Sequence, residues 1–62
     1  MIVKAIYKPT GEECYVNMDY VVDIFPIEGR NDYVAYTFDN DRDGYIISQE
    51  ELDKYLDGKD EQ

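Results

Sequence analysis

Pro9, Gly11, Pro26, Gly29 and Gly44 punctuate this chain into short runs of β character, and that punctuation decides its architecture. Ile2 to Tyr7 is rich in β-branched and aromatic residues, and Lys8-Pro9-Thr10-Gly11 has tight-turn composition, which predicts a first hairpin. In the return strand Cys14 and Val16 face inward while Glu13, Tyr15 and Asn17 alternate outward. Asn17 to Asp19 makes a short connection. A third strand, Tyr20 to Phe25, places Val22 and Ile24 on one face and stops at Pro26, which has no N–H for continued pairing. After a turn over residues 28–32 comes a fourth strand, Tyr33 to Phe38, with Val34, Tyr36 and Phe38 on one side and Tyr33, Ala35 and Thr37 on the other. Tyr45 to Ile47 reads as a fifth.

A helix follows. Ser48 and Glu51 have the spacing of a capping box, and Ile47 and Leu52 that of a hydrophobic staple. The helix is predicted from Gln49 to about Asp57, with Leu52, Tyr55 and Leu56 on one face and Gly58 closing its C-terminus. The fold expectation is a mainly β, α+β domain over residues 1–58: a small antiparallel five-stranded sheet or open barrel with one C-terminal helix. Residues 59–62 are expected to be a polar tail.

The order of elements is loosely similar to small bacterial proteins of the FlbD-like type, through Gly11, Glu12 and Asn17 and then Ser48 to Leu52. That resemblance implies a small structural subunit.

At 62 residues the chain supports one small core, so a monomer or small homo-oligomer is expected. Cys14 is the single cysteine and has no intramolecular partner. The opening Met-Ile-Val-Lys does not lead into a long apolar run. The expected compartment is the reducing cytoplasm, a host's included, with no membrane role.

Charge is uneven. The net −9 divides into −2 over residues 1–31 and −7 over residues 32–62. Direct contact with nucleic acid needs clustered Lys and Arg, so a basic partner or a cation fits this field better. Catalysis is not expected: the chain has no histidine and one serine, and its lone cysteine has no visible base.

Residues 39–50, Asp-Asn-Asp-Arg-Asp-Gly-Tyr-Ile-Ile-Ser-Gln-Glu, carry acids at positions one, three, five and twelve and glycine at six. This resembles an EF-hand calcium loop. The resemblance implies Ca2+ held by Asp39, Asp41 and Asp43, the Tyr45 carbonyl and Glu50. Read without it, the residues before the loop alternate like a strand rather than an entering helix, and 39–44 is a polar hairpin loop in which Gly44 supplies positive φ. Four extended residues would then separate Glu50 from the turn by roughly 13 Å.

Seven tyrosines exceed what so small a core can bury. Exposed tyrosine mixed with carboxylate suits recognition of an Arg- or Lys-rich surface. In size, acidity and lack of catalytic residues the chain is similar in character to small acidic inhibitors encoded by phages and mobile elements, some of which mimic nucleic acid. The function read from the residues is therefore a non-enzymatic acidic module that binds a basic protein surface, such as that of a nucleic-acid-binding protein. Its candidate contact residues are Tyr33, Tyr36, Asp39, Asp41, Asp43, Tyr45, Glu50, Asp53 and Asp57.

Overall fold

In the computed structural model, which describes residues 1–60, the first hairpin forms where the turn composition places it. The Tyr7 carbonyl accepts the N–H groups of Thr10 and Gly11 at 3.3 and 2.8 Å. Gly11 takes φ +76 there, a conformation open to glycine without Cβ strain. Strand β1 (Ile2–Tyr7) thus returns as β2 (Glu12–Asn17), paired from Ile2 opposite Asn17 to Tyr7 opposite Glu12.

A 3₁₀ turn, Met18–Tyr20, is capped by Asn17, whose Oδ1 accepts the Asp19 N–H at 3.0 Å. Strand β3 (Val21–Pro26) follows, so Tyr20 belongs to the turn rather than the strand. The expectation that Val22 and Ile24 share one face is also corrected. Register shifts between Val21 and Asp23, leaving Val22 as an extra residue without a direct partner in β4 (Asp32–Thr37). The bulge turns Val22 outward, while Val21 and Ile24 pack against the core. At the far end of β3, Ile27 N–H bonds the Asp32 carbonyl at 3.0 Å. Because bonded and non-bonded pairs alternate, the Pro26 nitrogen lies on the outer side of β3, where its missing N–H costs no ladder bond.

Strand β5 (Asn40–Ser48) is longer than its predicted Tyr45–Ile47 core. Only Phe38 and Asp39 separate it from β4, so the expected 39–44 loop is mostly strand. The ladder accommodates this by an irregularity: Ala35 faces Tyr45, Thr37 faces Asn40, and the residues from Asp41 to Gly44 bow out opposite Tyr36. Gly44 has φ +77, and a Cβ there would stand 2.8 Å from Val34 Cγ2 and 3.2 Å from Tyr36 Cε1. Backbone conformation and close approach both require glycine.

Helix α1 (Gln49–Asp60) starts as the capping pattern predicts, with Ser48 Oγ accepting the Glu51 N–H at 3.2 Å. It runs past Asp57. Gly58 sits inside the helix without positive φ, so it does not close it, and residues 59 and 60 are helical rather than tail. Residues 61–62 of the expected tail lie outside the described residues.

The sheet has the order β2-β1-β5-β4-β3, entirely antiparallel, which with the C-terminal helix is the expected architecture. Val3, Ala5, Val16, Met18, Ala35 and Ile47 form the core. Of the two faces of β4, the one bearing Ala35 and Thr37 is buried. Leu52 and Tyr55 of α1 pack on this cluster, whereas Leu56, expected on the same face, is exposed. Strands β1 and β5 pair only at Ile6–Ile46 and Tyr7–Tyr45. Toward Ile2 they lack this pairing, and α1 contacts both strands. There the Glu51 carboxylate accepts the Lys4 N–H at 3.0 Å, taking the place of a strand carbonyl. Helix α1 thereby serves the Lys4 end of β1, and the Tyr7 end is occupied differently.

Candidate functional site

Cross-strand register gathers an aromatic and acidic group at the Tyr7 end. Tyr7 lies opposite both Glu12 on β2 and Tyr45 on β5, and Cys14 lies opposite Ala5 one pleat further along. The Tyr7 and Tyr45 rings are 5.5 Å apart at 41°. With Glu13 and Tyr15 these residues line an open cleft of about 360 Å³. A second hollow of about 250 Å³ shares Tyr15 and Tyr45 and extends to Tyr20, Thr37 and Asp39.

Hydrogen bonds fix the rim. Tyr7 Oη donates to Asp43 Oδ2 at 2.8 Å, and Thr37 Oγ1 donates to Asp39 Oδ1 at 2.8 Å. Asn40 Oδ1 accepts the Asp43 N–H at 3.4 Å, holding the bowed segment of β5. The Tyr7 hydroxyl is pushed above its ordinary pKa, first by its bond to the Asp43 carboxylate and then by desolvation and that carboxylate's charge. Burial raises the Cys14 thiol, which keeps it protonated near neutral pH and therefore a weak nucleophile. The arrangement sets flat aromatic surface beside hydrogen-bond acceptors that carry negative charge.

The nine residues singled out from sequence fall in separate places. Tyr45 and Asp39 line the hollows, Asp43 joins them through Tyr7, and Asp41 is exposed on the same stretch of β5. Tyr36 lies on the opposite face of the sheet, against Phe25 at 6.1 Å between ring centroids. Tyr33 belongs to the helix end, where its hydroxyl donates to Gln49 Oε1 at 2.5 Å and Gln49 Nε2 donates to Asp53 Oδ1 at 2.8 Å. Glu50 stands 3.9 Å from Lys54 Nζ, and both Glu50 and Asp57 are exposed on α1. The set is thus not one surface.

The same dispersal applies to the calcium ligands named above. Asp39 lies in the β4–β5 turn, Asp41 and Asp43 lie on the bowed part of β5, and Glu50 lies beyond its far end in α1. Among the described residues no three His, Cys, Asp or Glu side chains are grouped so as to hold a metal ion.

Tyr7, Glu12, Glu13 and Tyr15, which supply most of the cleft, and Tyr20, which lines the second hollow, are not among the sequence candidates. The signal that could have found them was the excess of tyrosine together with the outward alternation of Glu13 and Tyr15. What was missing was the pairing of β1 with β5, which brings Tyr45 to Tyr7. No helix among the described residues is long and apolar enough to cross a membrane. Compared with known proteins, the chain matches no family model, no curated protein and no solved structure.

Proposed function

We propose that this protein is a non-enzymatic acidic module that binds a basic surface on a partner protein. The observation that supports it is the meeting of Tyr7, Tyr15 and Tyr45 with Glu12 and Glu13 around one open cleft, beside Asp43. A tyrosine face receives the apolar stem and the charge of Lys or Arg, worth about 0.5–2 kcal/mol each according to desolvation. The carboxylates accept the cation's N–H groups, and the net charge of −9 steers a basic partner toward the protein from a distance. A partner that ordinarily holds nucleic acid carries such a surface, and occupying it would make this protein an inhibitor or accessory of the kind encoded by phages and mobile elements.

The test is capture of partners from the native host by the wild-type chain and by a variant carrying Glu12→Gln, Glu13→Gln, Asp39→Asn, Asp41→Asn and Asp43→Asn. The reading expects one basic protein whose affinity falls by about tenfold or more in the variant and weakens steadily with added salt. Capture indifferent to both changes would overturn it.

A further inference from the structure

Strand β2 is the first strand in the sheet order, and among the described residues no strand pairs with its outer side. The direction of its backbone groups follows from one bond. Met18 N–H donates to the Met1 carbonyl at 2.8 Å, and these residues continue the register in which Ile2 faces Asn17 and Val3 faces Val16. Bonded and non-bonded pairs alternate along an antiparallel ladder. Val3–Val16, Ala5–Cys14 and Tyr7–Glu12 are therefore the positions bonded to β1. Glu13 and Tyr15 lie between them, so their N–H and C=O groups project away from β1 toward the outer edge. Both residues are exposed, Tyr15 at 70 %.

The acidic aromatic cleft runs along this same edge, since Glu12, Glu13, Cys14 and Tyr15 form one of its walls. Resting on the functional reading above, we infer that β2 accepts an extended Lys- or Arg-bearing segment of the partner as an additional strand. Backbone bonds to Glu13 and Tyr15 supply the pairing. Side chains of the added strand alternate between the sheet face that bears Glu12 and Cys14 and the face that bears Glu13 and Tyr15, the four residues by which β2 lines the cleft. Lys4 Nζ lies 3.9 Å from Glu13 Oε1, an exposed pair that a partner's cation can replace. Charge decides between this occupant and a second copy of the chain. A copy would bring another −9 and its own Glu12 and Glu13 to the edge, whereas a basic strand neutralises it.

The experiment titrates the isotope-labelled full chain with a short synthetic peptide of alternating lysine and threonine, followed by amide NMR and hydrogen exchange. Saturable shifts and slowed exchange at Glu13 and Tyr15 are expected. Methylating alternate peptide nitrogens should weaken binding by about tenfold, as loss of two backbone bonds requires. Tyr15→Pro should do the same with the remaining spectrum unchanged, because an outer-edge N–H is dispensable to the fold. Glutamate in place of lysine should abolish binding. Shifts confined to Asp39, Asp41 and Asp43, indifferent to methylation, would overturn strand addition while leaving a basic partner in place. No saturable shift with the lysine peptide anywhere would overturn both readings. Shifts at Glu13 and Tyr15 on concentrating the protein alone would make a second copy the occupant and overturn the basic segment.

Discussion

The Glu51 carboxylate accepts the backbone N–H of Lys4 at 3.0 Å across 47 residues of sequence. One helix side chain thereby completes the hydrogen bonding of an interior strand where β5 no longer pairs with it. The second oxygen of Glu51 accepts a bond from Lys54 Nζ at 2.9 Å. These contacts, Lys54 first and the Lys4 N–H second, hold the Glu51 carboxyl below its ordinary value of 4.5.

A carboxyl depressed in the folded state stabilises the fold above its unfolded pKa, and that contribution is lost as pH falls through the folded value. Glu51→Ala should therefore lower the urea midpoint at neutral pH more than Glu51→Gln, which keeps an acceptor for Lys4. Both variants should show a flatter decline of stability than the wild type as pH drops below about 4.5. Denaturation curves recorded over that pH series decide the matter.

Gly44→Ala and Gly11→Ala separate backbone conformation from crowding. Both glycines have positive φ, +77 and +76, but only at Gly44 does an added Cβ meet other atoms, at 2.8 Å from Val34 and 3.2 Å from Tyr36. Gly11→Ala should cost about 1 kcal/mol. Gly44→Ala should cost about 2–4 kcal/mol, with the difference arising from displacement of Val34 and Tyr36. Equal losses in chemical denaturation would contradict the close packing at Gly44.

Ile47 is 1 % exposed and is the largest fully buried side chain among the described residues. Ile47→Val should cost about 0.5–1.5 kcal/mol and Ile47→Ala about 2–5 kcal/mol. A 62-residue domain has only about 3–9 kcal/mol in total. Circular dichroism melting should accordingly find both variants lowered in midpoint, the alanine variant several times further than the valine variant.

Carbon NMR across alkaline pH should find Tyr7 losing its proton above the ordinary tyrosine value of 10.0. Its raised pKa means that the hydroxyl's bond to Asp43 contributes stability below the ordinary value of 10.0, lost as pH rises through the folded value. Asp43→Asn should bring Tyr7 back toward that ordinary value, and Tyr7→Phe should remove the late transition. An unchanged Tyr7 titration in Asp43→Asn would show that the bond does not form in solution.

Local features were legible in the residues themselves. The Lys8–Gly11 turn, the inward Cys14 and Val16, and the Ser48 cap with Leu52 and Tyr55 on the inner helical face all depend on nearest-neighbour chemistry and a fixed period. Long-range packing set the bulge that exposes Val22, the bowed stretch before Gly44, and the passage of α1 through Gly58. It also decided that Ala35 and Thr37, not Val34 and Tyr36, line the core. These depend on which strands meet and in what register, and a shift of one residue reverses every side chain of a strand. The cleft belongs to the same class. Tyr7, Glu12 and Tyr45 are scattered along the chain and become neighbours only because β1 pairs with β2 on one side and β5 on the other. Composition could announce an excess of tyrosine and acid, but long-range pairing placed them together.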